Sequence, residues 1–391
     1  MKKLLMALVA TGMIGGAANA QSSVTLYGVV DANVEYVNSM RSALPTAANP
    51  NPASGSVLRL SSGGFASNRW GIRGVEDLGG GLAGIFVIEA GFNTDNGASA
   101  NATRTYDRAT YVGLRSNAWG QLTFGRQYTS MFLMLGNYSP TVYAPQYEPI
   151  TFMAGLNLRE DNMVHYTAKL GAVTGRAHLS FGTGVFCTGG VSPCAGSGET
   201  PGSFRANMGY GGTIEYNDGK LGVGIGYDEY DPTASVLGDS GIGRFRKATV
   251  AAGYNIMPTL RVQGGYRWGR NAFSNGAVAL RDNLYWVGVN YTPIANVDLT
   301  LAYYYDDLKG VQPTATGATA VSTNPANPYQ ISFMAAYNLS KRTNVYLSTA
   351  WSKHAALAFG GLAATGGTNT YLLGAGKDSQ FGAALGIRHI F

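Results

Sequence analysis

The run FGAALGIRHIF, residues 381–391, decides the fold. With period two, Phe381, Ala383, Leu385, Ile387 and Phe391 fall on one face, interrupted by His389. Gly382, Ala384, Gly386 and Arg388 fall on the other. Alternation of this kind is the mark of a β-strand with two unlike faces. Chain ends are normally polar and frayed unless something ties them down. A strand whose last side chain is a phenylalanine therefore calls for a sheet that closes over it.

The same pattern recurs along the whole chain. Alternating segments run over about 23–37, 68–77, 82–93, 105–115, 121–128, 162–169, 175–184 and 204–216. They continue over about 220–230, 244–255, 259–270, 281–291, 297–306, 328–339, 343–353 and 380–391. About sixteen strands of roughly ten residues are implied, the length that a tilted strand needs to cross an outer membrane. Seven connections are short and rich in Gly, Asn, Asp and Pro: EDLGGGL, SNAWGQ, LGAVTG, YNDGKL, NIMPT, TPIANV and LSKRTN. Tight hairpins require such residues. Others are long: about 38–59, 129–161, 185–203 and 355–379. Short turns on one rim and long loops on the other suit an all-β, antiparallel transmembrane barrel of about 16 strands. A sheet of so many long strands must close or expose aggregating edges.

Composition agrees. Charged residues make up 13% of the 391, about half the ~25% of ordinary globular chains, and 55 glycines are about twice the usual share. Leu221, Val223, Ile225 and Tyr227 alternate with Gly222, Gly224, Gly226 and Asp228, so one face is greasy and the other small or polar. Tyr36, Tyr111, Tyr128, Tyr254, Tyr291, Trp351 and Phe391 stand near strand ends, where interfacial girdles sit. Residues 1–20 carry Lys2 and Lys3, an apolar stretch and an Ala18-Asn19-Ala20 end, and read as a signal peptide; residues 21–391 read as the barrel. Without Lys2 and Lys3 the net charge falls from +6 to +4, which excludes a nucleic-acid footprint.

No catalytic constellation is visible. The four histidines, at 165, 178, 354 and 389, have neither ligand nor triad spacing, and no cofactor or metal site is expected. Cys187 and Cys194, in an oxidising compartment, are expected to form a disulfide, since no His or second Cys pair sits nearby. Channel function is the main reading. A channel specific for sugars or phosphate-like anions and a barrel hydrolase are the alternatives. Tyr27, Tyr304 and Tyr346 face inward but form no track for sugar.

Four stretches carry a family likeness: SSVTLYGVVDANVEY (22–36), SNRWGIRGVEDLGGGLAGIFVIEAGF (67–92), DRATYVGLRSNAWGQLTFGRQY (107–128) and GIRHIF (386–391). The mature chain resembles the general diffusion porins of Gram-negative outer membranes, especially their beta-proteobacterial branch. The resemblance implies a homotrimer of barrels, each narrowed by its third long loop folding inward, that passes small hydrophilic solutes. Implied partners are outer-membrane lipids and lipopolysaccharide, periplasmic chaperones and the assembly machinery, which would read Phe391 as a signal. It also implies a wall of pore arginines at Arg69, Arg73, Arg108 and Arg159. Trp70, Ile72, Ala109 and Tyr111 are expected to point outward beside them. The third loop, 130–157, lacks the acidic run of the enteric branch and has Glu148 as its one carboxylate. Where enteric relatives carry a first-strand lysine the chain has Val29, with Asp31 next on the inward face; Glu35 and Glu89 also face inward. Arg126 shares parity with outward Leu122 and Phe124, a placement costly in lipid and suited to a trimer interface. Modest anion selectivity is the expected outcome.

Overall fold

The computed structural model describes residues 22–43, 49, 52–185, 198–233, 239, 241–312, 322–323, 325–360 and 371–391. Residues 1–20, read from the sequence as a signal peptide, and both cysteines lie outside the described residues. The strands are β1 (Ser23–Arg41), β2 (Ser54–Ser62), β3 (Arg69–Gly79), β4 (Leu82–Gly91), β5 (Ala109–Ser116) and β6 (Gly120–Tyr128). Two short helices follow, α1 (Ser130–Leu135) and α2 (Ile150–Ala154). Then come β7 (Arg159–Leu170), β8 (Val173–Ser180), β9 (Gly209–Asn217), β10 (Leu221–Tyr230), β11 (Arg244–Met257) and β12 (Leu260–Ala272). The chain finishes with β13 (Val278–Ile294), β14 (Val297–Val311), β15 (Ser322–Thr323), β16 (Tyr329–Asn338), β17 (Thr343–Lys353) and β18 (Ser379–Ile390).

All these strands belong to one antiparallel sheet that closes on itself by pairing β1 with β18. β3 pairs with β1 and β16 with β14, and from β3 to β14 and from β16 to β18 each strand is hydrogen-bonded to the next in sequence. β2 and β3 share one edge of β1: β2 pairs with Ala32–Arg41, β3 with Ser23–Val29. They are the two halves of a single wall position, and β15 is a two-residue pairing at the end of β14. The wall is thus a 16-stranded barrel. The stretch assigned by sequence to a connection over 38–59 is a correction, since β1 runs on to Arg41 and returns as β2. Four serines and a glycine in β2 mask the alternation of Leu58 and Leu60, both exposed outward, with Val57 and Arg59.

The faces sort as the closing stretch requires. Leu385 is 65% exposed and Ile387 49%, whereas Ala384 is buried. Val29 through Val37 pair in register with Ile390 through Gly382. The last pair of bonds joins Phe391 to Gly28, N–H to carbonyl in both directions at 3.1 Å. Gly28 is required here: a Cβ would stand 2.3 Å from Phe391 Cζ and 2.7 Å from the Arg69 carbonyl oxygen. The ring covers the seam on the outside, as the opening alternation demands.

Replacing Phe391 with serine removes this cover and should cost on the order of 1–2 kcal/mol of apolar burial at the closing seam. The expected outcome is a several-fold lower yield of the heat-modifiable folded band on a gel, with Asn101→Ser in a long loop as the control. Equal yields for the two variants would make Phe391 an ordinary terminal residue.

Candidate functional site: the pore constriction

The third long loop, residues 129–158, crosses the lumen and is fastened at many points. Thr129 caps α1, its Oγ1 accepting from Phe132 N at 3.3 Å. Ser130 is held by two wall histidines: its N–H donates to His178 Nδ1 (3.2 Å), and its hydroxyl lies 2.9 Å from His178 Nδ1 and 3.2 Å from His165 Nε2. Along the far wall, Trp286, Gln263 and Asn290 donate to the carbonyls of Tyr138, Ser139 and Pro140 at 3.0, 3.0 and 2.9 Å. At the exit Asn157 donates to Glu160 (2.8 Å) and Asp228 (2.7 Å). The loop's apolar back, Met131, Met134, Leu135, Tyr138, Phe152 and Met153, packs on Leu284, Trp286 and Tyr304. Gly224 on β10 makes room for it, since a Cβ there would lie 2.6 Å from Met134 Sδ.

Between loop and wall lies a cavity of about 840 Å³. Arg69, Arg108 and Arg159 line it. Glu89 joins the first two: its Oε1 is 2.7 Å from Arg108 Nε and its Oε2 3.6 Å from Arg69 Nε. The Tyr128 hydroxyl accepts from Arg108 Nη2 at 3.0 Å and from Arg159, whose guanidinium also lies 4.2 Å over the Tyr128 ring. Tyr128 stacks on Phe132 at 4.4 Å, and Phe132 on Tyr143 at 4.3 Å, so one column joins the wall arginines to the loop. Arg73 keeps the inward parity but sits two same-face positions beyond Arg69, nearer the short turns, 5.3 Å over the Tyr27 ring.

Several placements differ from the sequence reading. Val112 and Leu114 are the exposed large apolar residues of β5, on the same face as exposed Thr110, with Ala109 buried and Tyr111 on the opposite face. Ala109 and Tyr111 therefore do not point outward. Arg108 precedes the strand and reaches the lumen through its pairing with Glu89, not through strand parity. Glu148 and Asp31 are not free charges in the constriction. Glu148 is 2% exposed and accepts from Ser139 Oγ (2.6 Å), Thr141 Oγ1 (2.7 Å) and Tyr304 OH (2.8 Å). Burial pushes its carboxyl above the usual range, and these hydroxyl bonds oppose the rise. Asp31 is fully buried, its oxygens taken by three backbone N–H groups and by Tyr346. Arg126 has outward parity, paired with Thr110, and bonds Asp161 Oδ1 and the Asp107 carbonyl at 2.6 Å each. Two lining arginines were missed, Arg59 and Arg388. Arg388 was legible on the inward face of the closing stretch. Arg59 was hidden in a segment read as loop.

A closed 16-stranded barrel with an apolar outer face and an interior narrowed by a fastened loop is an outer-membrane pore. The chain belongs to the Gram-negative porin family, whose model matches residues 5–356. It is 28% identical to an outer membrane porin protein of Bordetella pertussis, over 90% of this chain and 95% of that one. It is also 28% identical to outer membrane porin protein 32 of Delftia acidovorans, over the full length of both. Among solved structures it is similar to an anion-selective porin from Comamonas acidovorans, with 24% identity and a TM-score of 0.72 over 95% of this chain and all of that one. The protein is a passive diffusion channel of the outer membrane, and fold and family point to a channel rather than an enzyme.

Glu148→Ala strands three buried hydroxyls and should loosen the loop by about 1–3 kcal/mol, seen as larger and noisier single-channel conductance. Glu148→Gln, which keeps an acceptor, should stay near wild type in conductance. The raised carboxyl also gives a sign. The folded state holds its proton more tightly than the unfolded chain, so stability should fall as pH rises from the ordinary carboxylate range through the raised value. That slope should vanish in Glu148→Gln when unfolding is followed across pH; an unchanged slope would remove Glu148 as its source.

Proposed function

We propose that this channel passes small hydrophilic solutes with a modest preference for anions. The observation that supports it is the charge balance of the lumenal cavity. Arg59, Arg69, Arg108, Arg159 and Arg388 line it against Glu89, Asp95 and the hydroxyl-bound Glu148. Arg59 is matched by Glu35 at 2.7 Å, and Arg69 and Arg108 share one carboxylate, which leaves an excess of positive charge. Screening over about 8 Å at physiological ionic strength confines the effect to groups at the narrow point.

The working unit in this reading is a homotrimer. Arg126, half-buried and paired with Asp161, which also holds Arg104, has outward parity on β6 and fits a subunit contact better than a lipid one. Phe391 serves the assembly machinery as a terminal signal, delivered by periplasmic chaperones after removal of residues 1–20. On the lipid side Arg246, Arg270 and Arg281 stand opposite one another on three adjacent strands, above Val250, Tyr266 and Tyr285. Like charges in register repel, and lipopolysaccharide phosphates would relieve them.

In a tenfold potassium chloride gradient the wild-type reversal potential should show chloride favoured by a factor of a few. Arg108→Gln should bring it toward unity by freeing Glu89, and both values should converge as salt rises. A wild-type pore that favours potassium would overturn the reading.

A further inference from the structure

The wall carries a second inward device, at the break between β2 and β3. There, residues 63–68 leave the sheet, and Gly63, Phe65, Ala66 and Ser67 line the same cavity as the third loop. Asp31 on β1 holds them in place. Its Oδ1 accepts from Gly64 N at 3.1 Å, and its Oδ2 from Phe65 N at 2.9 Å and Ala66 N at 2.8 Å. Tyr346 OH donates to Oδ1 at 2.6 Å. Asn68 ties the return, its side-chain amide donating to the Asp31 carbonyl at 3.0 Å and accepting from the Asp31 N–H.

Asp31 is also the cross-strand register partner of Arg388. Opposite charges so placed ordinarily pair. Here they do not, because the carboxylate is turned onto the segment. Arg388 instead lies with its guanidinium carbon 4.0 Å over the ring of Phe65, which the segment presents. Phe65 in turn leans on Tyr346 at 5.4 Å. Among the described residues Arg388 makes no ion pair or side-chain hydrogen bond, and its Nε is buried without a partner. The other four arginines of the cavity are each engaged: Arg59 by Glu35, Arg69 and Arg108 by Glu89, Arg159 by Tyr128.

We infer that residues 63–68 are a second constriction element, and that Arg388, stacked on Phe65 and kept from Asp31, is a binding site for small carboxylates in transit. A guanidinium fixed in a plane by an aromatic face presents its N–H fork to a carboxylate at little cost in side-chain entropy. A water-filled lumen keeps the attraction weak, as conduction requires. The inference rests on the anion preference argued above and adds to it a place and a ligand class.

The test is single-channel conductance of the purified full-chain protein in potassium acetate of rising concentration, with folding checked by the heat-modifiable band. Wild type should saturate. Arg388→Gln should raise the half-saturating concentration at least threefold, and Phe65→Leu should do so with the arginine intact. Lys220→Gln, the same charge change at a short turn, should leave it unaltered. Saturation of Arg388→Gln at the wild-type concentration overturns this inference, as does an equal shift in Lys220→Gln. A wild-type channel that favours potassium over chloride fails the anion preference instead, so the two failures are distinguishable.

Discussion

Hydrocarbon offers no partner to a backbone N–H or carbonyl, and each one left unpaired there costs several kcal/mol. Closure of the sheet between β1 and β18 therefore governs everything else in the molecule. It requires the first strand to meet the last, and so puts an apolar ring at the final residue and a glycine beneath it. It also fixes which residues can do anything specific. With one face of each strand given to lipid, chemistry is confined to the inward residues and to loops that fold among them.

Inside, the same side chains fasten the loop and set the field. Unit charges 4 Å apart interact by about 1 kcal/mol in water and about 4 kcal/mol at the effective dielectric of a protein surface. Local pairing therefore outweighs the mild net charge of the chain. Glu35, Glu148 and Asp31 each have their oxygens taken by neighbours, two of them by groups that bring no charge. Their carboxylates are tied to the wall and loop, while among the described residues the guanidinium of Arg388 has no ion-pair partner at the cavity. In the reading proposed above, selectivity depends on which partner each carboxylate takes.

The barrel was legible because period two is a local property, repeated in segment after segment. Where Ser and Gly dilute the apolar face, as in residues 54–62, the pattern fades and the strand is lost to view. The arginine wall was partly legible through motifs. Arg69, Arg108 and Arg159 line one cavity, although strand parity does not place Arg108, which lies just outside β5. The fates of Asp31 and Glu148 were not legible. Both depend on partners from distant segments, Tyr346 for the first and Tyr304 for the second. Alternation tells which way a side chain points and is silent on what it meets.

The histidines illustrate the same limit from the other side. His165 and His178 lack any catalytic spacing, yet both contact Ser130 at the start of the third loop, and His178 lies 3.6 Å from Glu160 and from Asp228. Asn157, at the end of the loop, bonds the same two carboxylates. Entry and exit of the loop are thus fastened to one buried polar patch, while its middle rests on the far wall. A loop held at both ends and across its back can narrow the pore without a hinge. Anchoring and aperture then rest on one set of contacts, so a change that loosens the loop changes the passage as well.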